Sequence, residues 1–118
     1  MGDFYCLRAS PLITWLTTSD LQEGQAVDTR GFEKALMRDG FDEILIRDAT
    51  PGSVQKEHIH SFDVRVLILE GAFFVATATD RIDCVAGESF DLAAGEPHID
   101  GAGPAGAKLL IGRRYAGR

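Results

Sequence analysis

The chain has 118 residues, 45% of them hydrophobic and 25% charged, which is enough for one domain around one core and too apolar for a disordered segment. Eighteen acidic residues against 12 basic ones give a formal net charge of −6, so a phosphate backbone would meet a repulsive field and nucleic acid is not an expected partner. An acid precedes the first basic residue and no run approaches ~18 apolar residues, so no membrane partner is expected and the chain reads as cytoplasmic. Residues 1–27 read as an N-terminal arm, in which Leu12, Ile13, Trp15 and Leu16 are apolar enough to need cover. That arm is expected to pack on the rest of the chain or on a partner subunit, in a homodimer. A short helix over about 29–39 follows, with Asp28 or Thr29 as N-cap, Phe32, Leu36 and Met37 on one face, and Gly40 as the stop.

After Gly40 the texture changes. Short runs rich in Val, Ile, Leu and Phe are cut by Pro51-Gly52, Gly71, Asp80, Gly87, Gly95 and the stretch 101–106, which predicts strands at 43–48, 54–60, 64–70, 72–79, 81–86, 89–93 and 107–115. Many short strands with regularly placed turns argue for an antiparallel sandwich or barrel. Residues 28–118, helix included, are therefore expected to form a single β-barrel domain. Cys6 and Cys84 form no C-x-x-C pair and are read as inert thiols.

The chain has three histidines, His58, His60 and His98. On a strand, His58 and His60 leave the same face, close enough for both imidazoles to meet one ion at ~2.0–2.2 Å. His98 follows the Ala93-Ala94-Gly95-Glu96-Pro97 turn, from where a returning strand can bring it opposite the pair. Three imidazoles suit a divalent ion such as Zn, Fe, Ni or Mn, and leave positions open for water, dioxygen or a chelating substrate.

The spacing Gly52, five residues, His58-Ile59-His60, three residues, Val64, six residues, Gly71 resembles the first motif of the cupin superfamily. The second motif is matched by Gly87, five residues, Ala93-Ala94-Gly95, two residues and His98, ending on Ala102 where the family has Asn. The resemblance covers residues 43–115. It implies an all-β fold, an antiparallel double-stranded β-helix or jelly-roll barrel with one short N-terminal helix, and a metal site on His58, His60 and His98. The family's fourth ligand, a Glu, falls on Val64, which has no donor atom. Asp100 stands two residues after His98 and, on a regular strand, enters the same interior; Asp63 is the other candidate, with strand parity opposite to Val64. Asp100 is favoured as the substitute carboxylate or catalytic base. Arg65 is a candidate for holding a substrate carboxylate, and Tyr115 is a further candidate base.

The functional expectation is a metal-dependent enzyme of dioxygenase, isomerase or lyase type acting on a small, oxygen-rich or anionic metabolite. The alternative is a non-catalytic module that binds a small ligand or a metal. Other features carry no chemistry. Gly101-Ala102-Gly103-Pro104-Ala105-Gly106 satisfies G-x-G-x-x-G but precedes a strand, not a helix, and reads as a hairpin loop. Phe73, Phe74 and Phe90 read as core, and Arg113 and Arg114 as a solvated strand end.

Overall fold

The computed structural model describes residues 27–115 and, in backbone only, a two-residue strand β1 at Tyr5–Cys6; the rest of the arm expected over 1–27 lies outside the described residues. A helix α1 at Arg30–Arg38 follows, then strands β2 (Glu43–Ala49), β3 (Val54–His58), β4 (Phe62–Ala76), β5 (Arg81–Val85), β6 (Ser89–Leu92) and β7 (His98–Tyr115). All pair antiparallel. No described helix is long and apolar enough to cross a membrane.

Two long strands organise the sheet. The first half of β4 pairs with β6 and with the second half of β7, while its second half pairs with β5 and with the first half of β7. β2 and β3 in turn lie against the second and first halves of β7. Register shifts at Ile68/Glu70 and Gly71/Phe73 bend the pair where it passes from one half to the other, closing a jelly-roll barrel.

This bend corrects two sequence-based expectations. Gly71 was expected to separate two strands and Gly101–Gly106 to form a hairpin loop, yet both lie inside continuous strands. Gly71 and Gly106 both have positive φ, and a Cβ on Gly71 would run into the Gly106 carbonyl. The glycines therefore allow two strands to turn a corner together, not to reverse. The local composition is the same for a bend and a loop; pairing across the sheet decides between them.

Inside the barrel, alternate residues of each strand form one apolar cluster, with Val64, Val66, Ile68, Phe73 and Val75 of β4 facing Phe90, Leu92, Leu109 and Ile111. Phe73 and Phe90 stack with centroids 6.3 Å apart, and Cys84 is fully buried among them.

The helix covers the outer face. Asp28 Oδ1 accepts the Arg30 backbone N–H at 3.0 Å, and the Phe41 and Gly40 N–H groups close the C-terminus on the Leu36 and Met37 carbonyls. Leu36 is completely buried against Gly112, where a Cβ would stand 2.6 Å from Leu36 Cδ2. The absent side chain is thus the socket for the helix. Phe41, also buried, lies under the guanidiniums of Arg65 and Arg114, at 4.7 and 4.5 Å.

Ion pairs tie this face together. Asp39 is held well below the usual carboxylate range by hydrogen bonds from Arg38 and then Arg65. For Asp63, burial pushes the carboxyl up, but the Ala94 N–H at 2.8 Å and Arg114 outweigh it and the net shift is downward. Both groups titrate lower when folded, so their stabilisation is complete above the unfolded value near ~4 and is lost as pH falls through it toward the folded values. Thermal unfolding from pH 7 to pH 3 should show the midpoint dropping below about pH 4, with a shallower drop in Asp39→Asn and Asp63→Asn. Leu36→Ala should cost about 2–4 kcal/mol in a urea titration, since it opens a cavity over a glycine that cannot fill it.

Candidate metal centre

The three histidines come together at one end of the barrel. His58, the last residue of β3, pairs directly with His98, the first of β7. His60 is not on the strand: β3 ends at His58, earlier than the alternation predicted. It is positioned instead by the segment that follows, where the Gly95 N–H donates to the His60 carbonyl at 2.9 Å and Phe62 stacks on the imidazole at 4.8 Å. One donor nitrogen from each ring lies within 4.8 Å of the others.

Backbone carbonyls set the tautomers. The Nδ1 of His58 lies 2.7 Å from the Lys56 oxygen, and the Nδ1 of His98 lies 2.9 Å from that of Glu96. A carbonyl can only accept, so each Nδ1 carries the hydrogen and each Nε2 presents a lone pair. These lone pairs converge on a carboxylate: Asp100 Oδ2 is 3.5 Å from His58 Nε2 and 3.6 Å from His98 Nε2.

Those separations are too long for good hydrogen bonds. Donors ~2.1 Å from the centre of a tetrahedron stand ~3.4 Å from each other, so the carboxylate oxygen lies close to a ligand-to-ligand edge from each of the two nitrogens. Asp100 is 7% exposed and His98 2%, and Asp100 Oδ1 has no hydrogen-bond partner among the described residues. A buried carboxylate in an apolar barrel without a cation or donor is costly. The residues therefore fit a divalent ion.

Burial opposes charge on His60, His98 and Asp100. Burial first, then His98 and His58, and then Arg113 and Arg47, lower His60 to about 4. Burial also lowers His98 despite its bond to Glu96, and burial raises Asp100 against the pull of His58 and His98. Beside these groups is a cavity of about 50 Å³, room for a few waters or a compact ligand. Val64, Leu92 and Ile111 form part of its apolar wall, and His60, His98, Asp100, Arg47 and Arg113 supply its polar groups.

Other residues singled out in the sequence lie elsewhere. Asp63 faces the outer side, engaged by Ala94 and Arg114. Arg65 is held there by Asp91 at 2.9 and 3.0 Å and by Asp39 at 2.6 Å; with its donors satisfied and its side chain on the helix side of β4, it does not meet the cavity. Tyr115 donates to Glu43 Oε1 at 2.6 Å. Two cavity residues escaped the sequence reading. Arg47 shares strand parity with Leu45 and Ala49, and Arg113 with Leu109 and Ile111; that alternation was the signal which could have found them.

Among solved structures the chain is similar to a protein of unknown function from Rhizobium leguminosarum, at 21% identity and TM-score 0.59 over 61% of this chain and 68% of that one. It is also similar to a cupin superfamily protein from Desulfitobacterium hafniense, at 20% identity and TM-score 0.53 over 63% and 79%. The chain has the cupin fold. A third neighbour is YcfD, a ribosomal oxygenase from Escherichia coli in complex with cobalt and succinic acid, at 20% identity and TM-score 0.58 over 73% of this chain and 26% of that one. No family model matches the sequence, and no curated protein is similar to it.

The placement of Arg65 in this barrel separates stability from the site. Arg65→Ala removes the guanidinium that bonds both Asp91 and Asp39 and should cost about 2–4 kcal/mol on denaturant unfolding. Its cobalt affinity, read from the visible absorption of the ion, should match that of the unaltered chain.

Proposed function

We propose that this cupin is a metal-dependent enzyme in which His58, His60, His98 and Asp100 hold one divalent ion and offer its remaining positions to a small, oxygen-rich anionic substrate. The observation that carries this reading is the Asp100 carboxylate, buried with one oxygen unpartnered and the other at ligand-edge distance from two imidazole nitrogens whose far sides are pinned by carbonyls. A divalent ion of the zinc, iron, nickel or manganese kind supplies Lewis acidity there, and dioxygen chemistry if it is redox-active.

The chain's own groups do the rest. Lys56 and Glu96 carbonyls keep two rings in the tautomer that coordinates, and Phe62 braces the third. Asp100 replaces the carboxylate that Val64 lacks, from a different strand, and offsets part of the ion's charge. Val64, Leu92 and Ile111 keep water sparse on one side of the cavity, which strengthens every charge interaction inside it. That YcfD is described with cobalt and succinic acid supports a metal and a small carboxylate as occupants of this fold, although the fold alone does not assign a reaction.

Elemental analysis and cobalt titration test the site. The chain should take up one ion, and His58→Ala, His60→Ala or His98→Ala should each lose most of it with the circular dichroism of the barrel unchanged. Asp100→Ala should weaken binding by more than the roughly 10- to 100-fold that losing a supporting partner costs, because Asp100 is itself a ligand. Substrate follows from screening the metal-loaded protein against small hydroxy and oxo acids, for oxygen uptake in air and for isomerisation or elimination without it. A loaded protein silent in both would be a ligand-binding module instead.

A further inference from the structure

We infer that Arg47 and Arg113 form the anion-binding pair of this cavity, and that its ligand is a compact carboxylic acid with a second oxygen donor beside the carboxylate. The inference rests on the metal site proposed above for where the second oxygen goes, and on the arginines alone for the carboxylate.

The arginines of this chain divide into two sets. Seven lie among the described residues, and five of them, Arg30, Arg38, Arg65, Arg81 and Arg114, donate to a side-chain carboxylate within 3.3 Å. The two that do not, Arg47 and Arg113, are the two that line the cavity. Arg47 has no hydrogen bond or ion pair with any described residue. For Arg113 the nearest carboxylate is Glu43, 3.6 Å from Nη1 and 46% exposed, and its oxygen already accepts the Tyr115 hydroxyl. Arg113 Nε is buried and has no partner. Neither arginine reaches Asp100, whose Oδ1 is also unpartnered.

In a protein that pairs its other guanidiniums so closely, Arg47 without an ion pair among the described residues and Arg113 with only the 3.6 Å contact to half-exposed Glu43 leave guanidinium donors at one cavity wall for an anionic ligand. The register says where that ligand goes. Leu92, Val64 and Arg113 are cross-strand neighbours on one inward row, so Arg113 stands beside the position where the cupin motif has its carboxylate and this chain has a valine. A carboxylate brought by the ligand takes the space beside Val64 and the charge of Arg113. Phe62 fixes the geometry, since its ring carries the Arg113 guanidinium at 4.7 Å and stacks on His60 at 4.8 Å. Anion site and histidine cluster are thereby held on one aromatic support. With about 50 Å³ available, the acid is small.

Lactate and its neutral amide, lactamide, separate the two contributions, because they share the hydroxyl and carbonyl oxygens and differ in charge. Calorimetric titration of the cobalt-loaded full chain should show lactate binding and lactamide binding much more weakly. Arg47→Gln and Arg113→Gln should each lower lactate affinity about 10- to 100-fold, the cost of a charge-assisted hydrogen bond, leaving lactamide and cobalt affinities unchanged. Arg47→Lys and Arg113→Lys, which keep the charge, should recover part of the loss and stand in for a glutamine variant that does not fold. Lactate affinity equal in the unaltered chain and in folded, cobalt-loaded glutamine variants would overturn the inference, as would no lactate binding at all. A chain that takes up no cobalt refutes the metal site alone. Lactate-dependent thermal stabilisation of the metal-free chain then decides the arginines, present in the unaltered chain and abolished by glutamine if the pair binds anions, absent or unaffected if it does not.

Discussion

The pairing of β4 with β7 runs from Phe62 opposite Tyr115 to Ala76 opposite Ile99, and nearly every other element takes its place from it. β6 and β5 attach along one strand, β2 and β3 along the other. Because both strands bend at Gly71 and Gly106, their two ends serve different halves of the barrel while the inner face stays continuous. The inner row of β7 thus begins at His98 and Asp100 and ends at Arg113, with Leu109 and Ile111 between them. One strand supplies a histidine, a carboxylate and a cation to a single interior.

Alternation across that strand pair also sorts the charges. On the outer face, Arg65 and Arg114 are adjacent to Asp39, Asp63 and Asp91, and the paired groups act with Leu36 and Phe41 to seat the helix. These pairs are well formed and contribute to folding, helped by the two guanidiniums over Phe41. On the inner face the same residue type lacks such close pairs, Arg113 having only the 3.6 Å contact to Glu43. A one-residue change of register would exchange the two sets, since neighbours along a strand point to opposite faces. The bulges that bend the barrel are therefore also what keeps Arg65 out of the cavity and Arg113 in it.

The interior beside the histidines holds a valine on β4 and a carboxylate on β7. Val64 offers no donor atom, and Asp100 places an oxygen 3.5 and 3.6 Å from His58 and His98. That carboxylate lies off the row shared by Val64, Arg113 and Leu92. The row presents apolar surface and a cation to the cavity.

Much of this was legible in the residues. Three histidines at motif spacing, the parity of Asp100 with His98, the helix stop at Gly40 and the period-two strands are local patterns, and local patterns are what a sequence displays directly. The tertiary structure decided what depends on partners far along the chain. Glycine permits both a bend and a reversal, so the continuity of β4 through Gly71 and of β7 through Gly101–Gly106 was set by strand pairing. His60 leaves the strand alternation and is placed by Gly95 and Phe62, one of them 35 residues away in sequence. Arg65 was a candidate for the cavity and Arg113 a solvated end; Arg65 is instead held in ion pairs on the outer face, and Arg113 lines the cavity. Which side of a strand is the inside is a property of the closed barrel, and it exists only once β4 and β7 have paired.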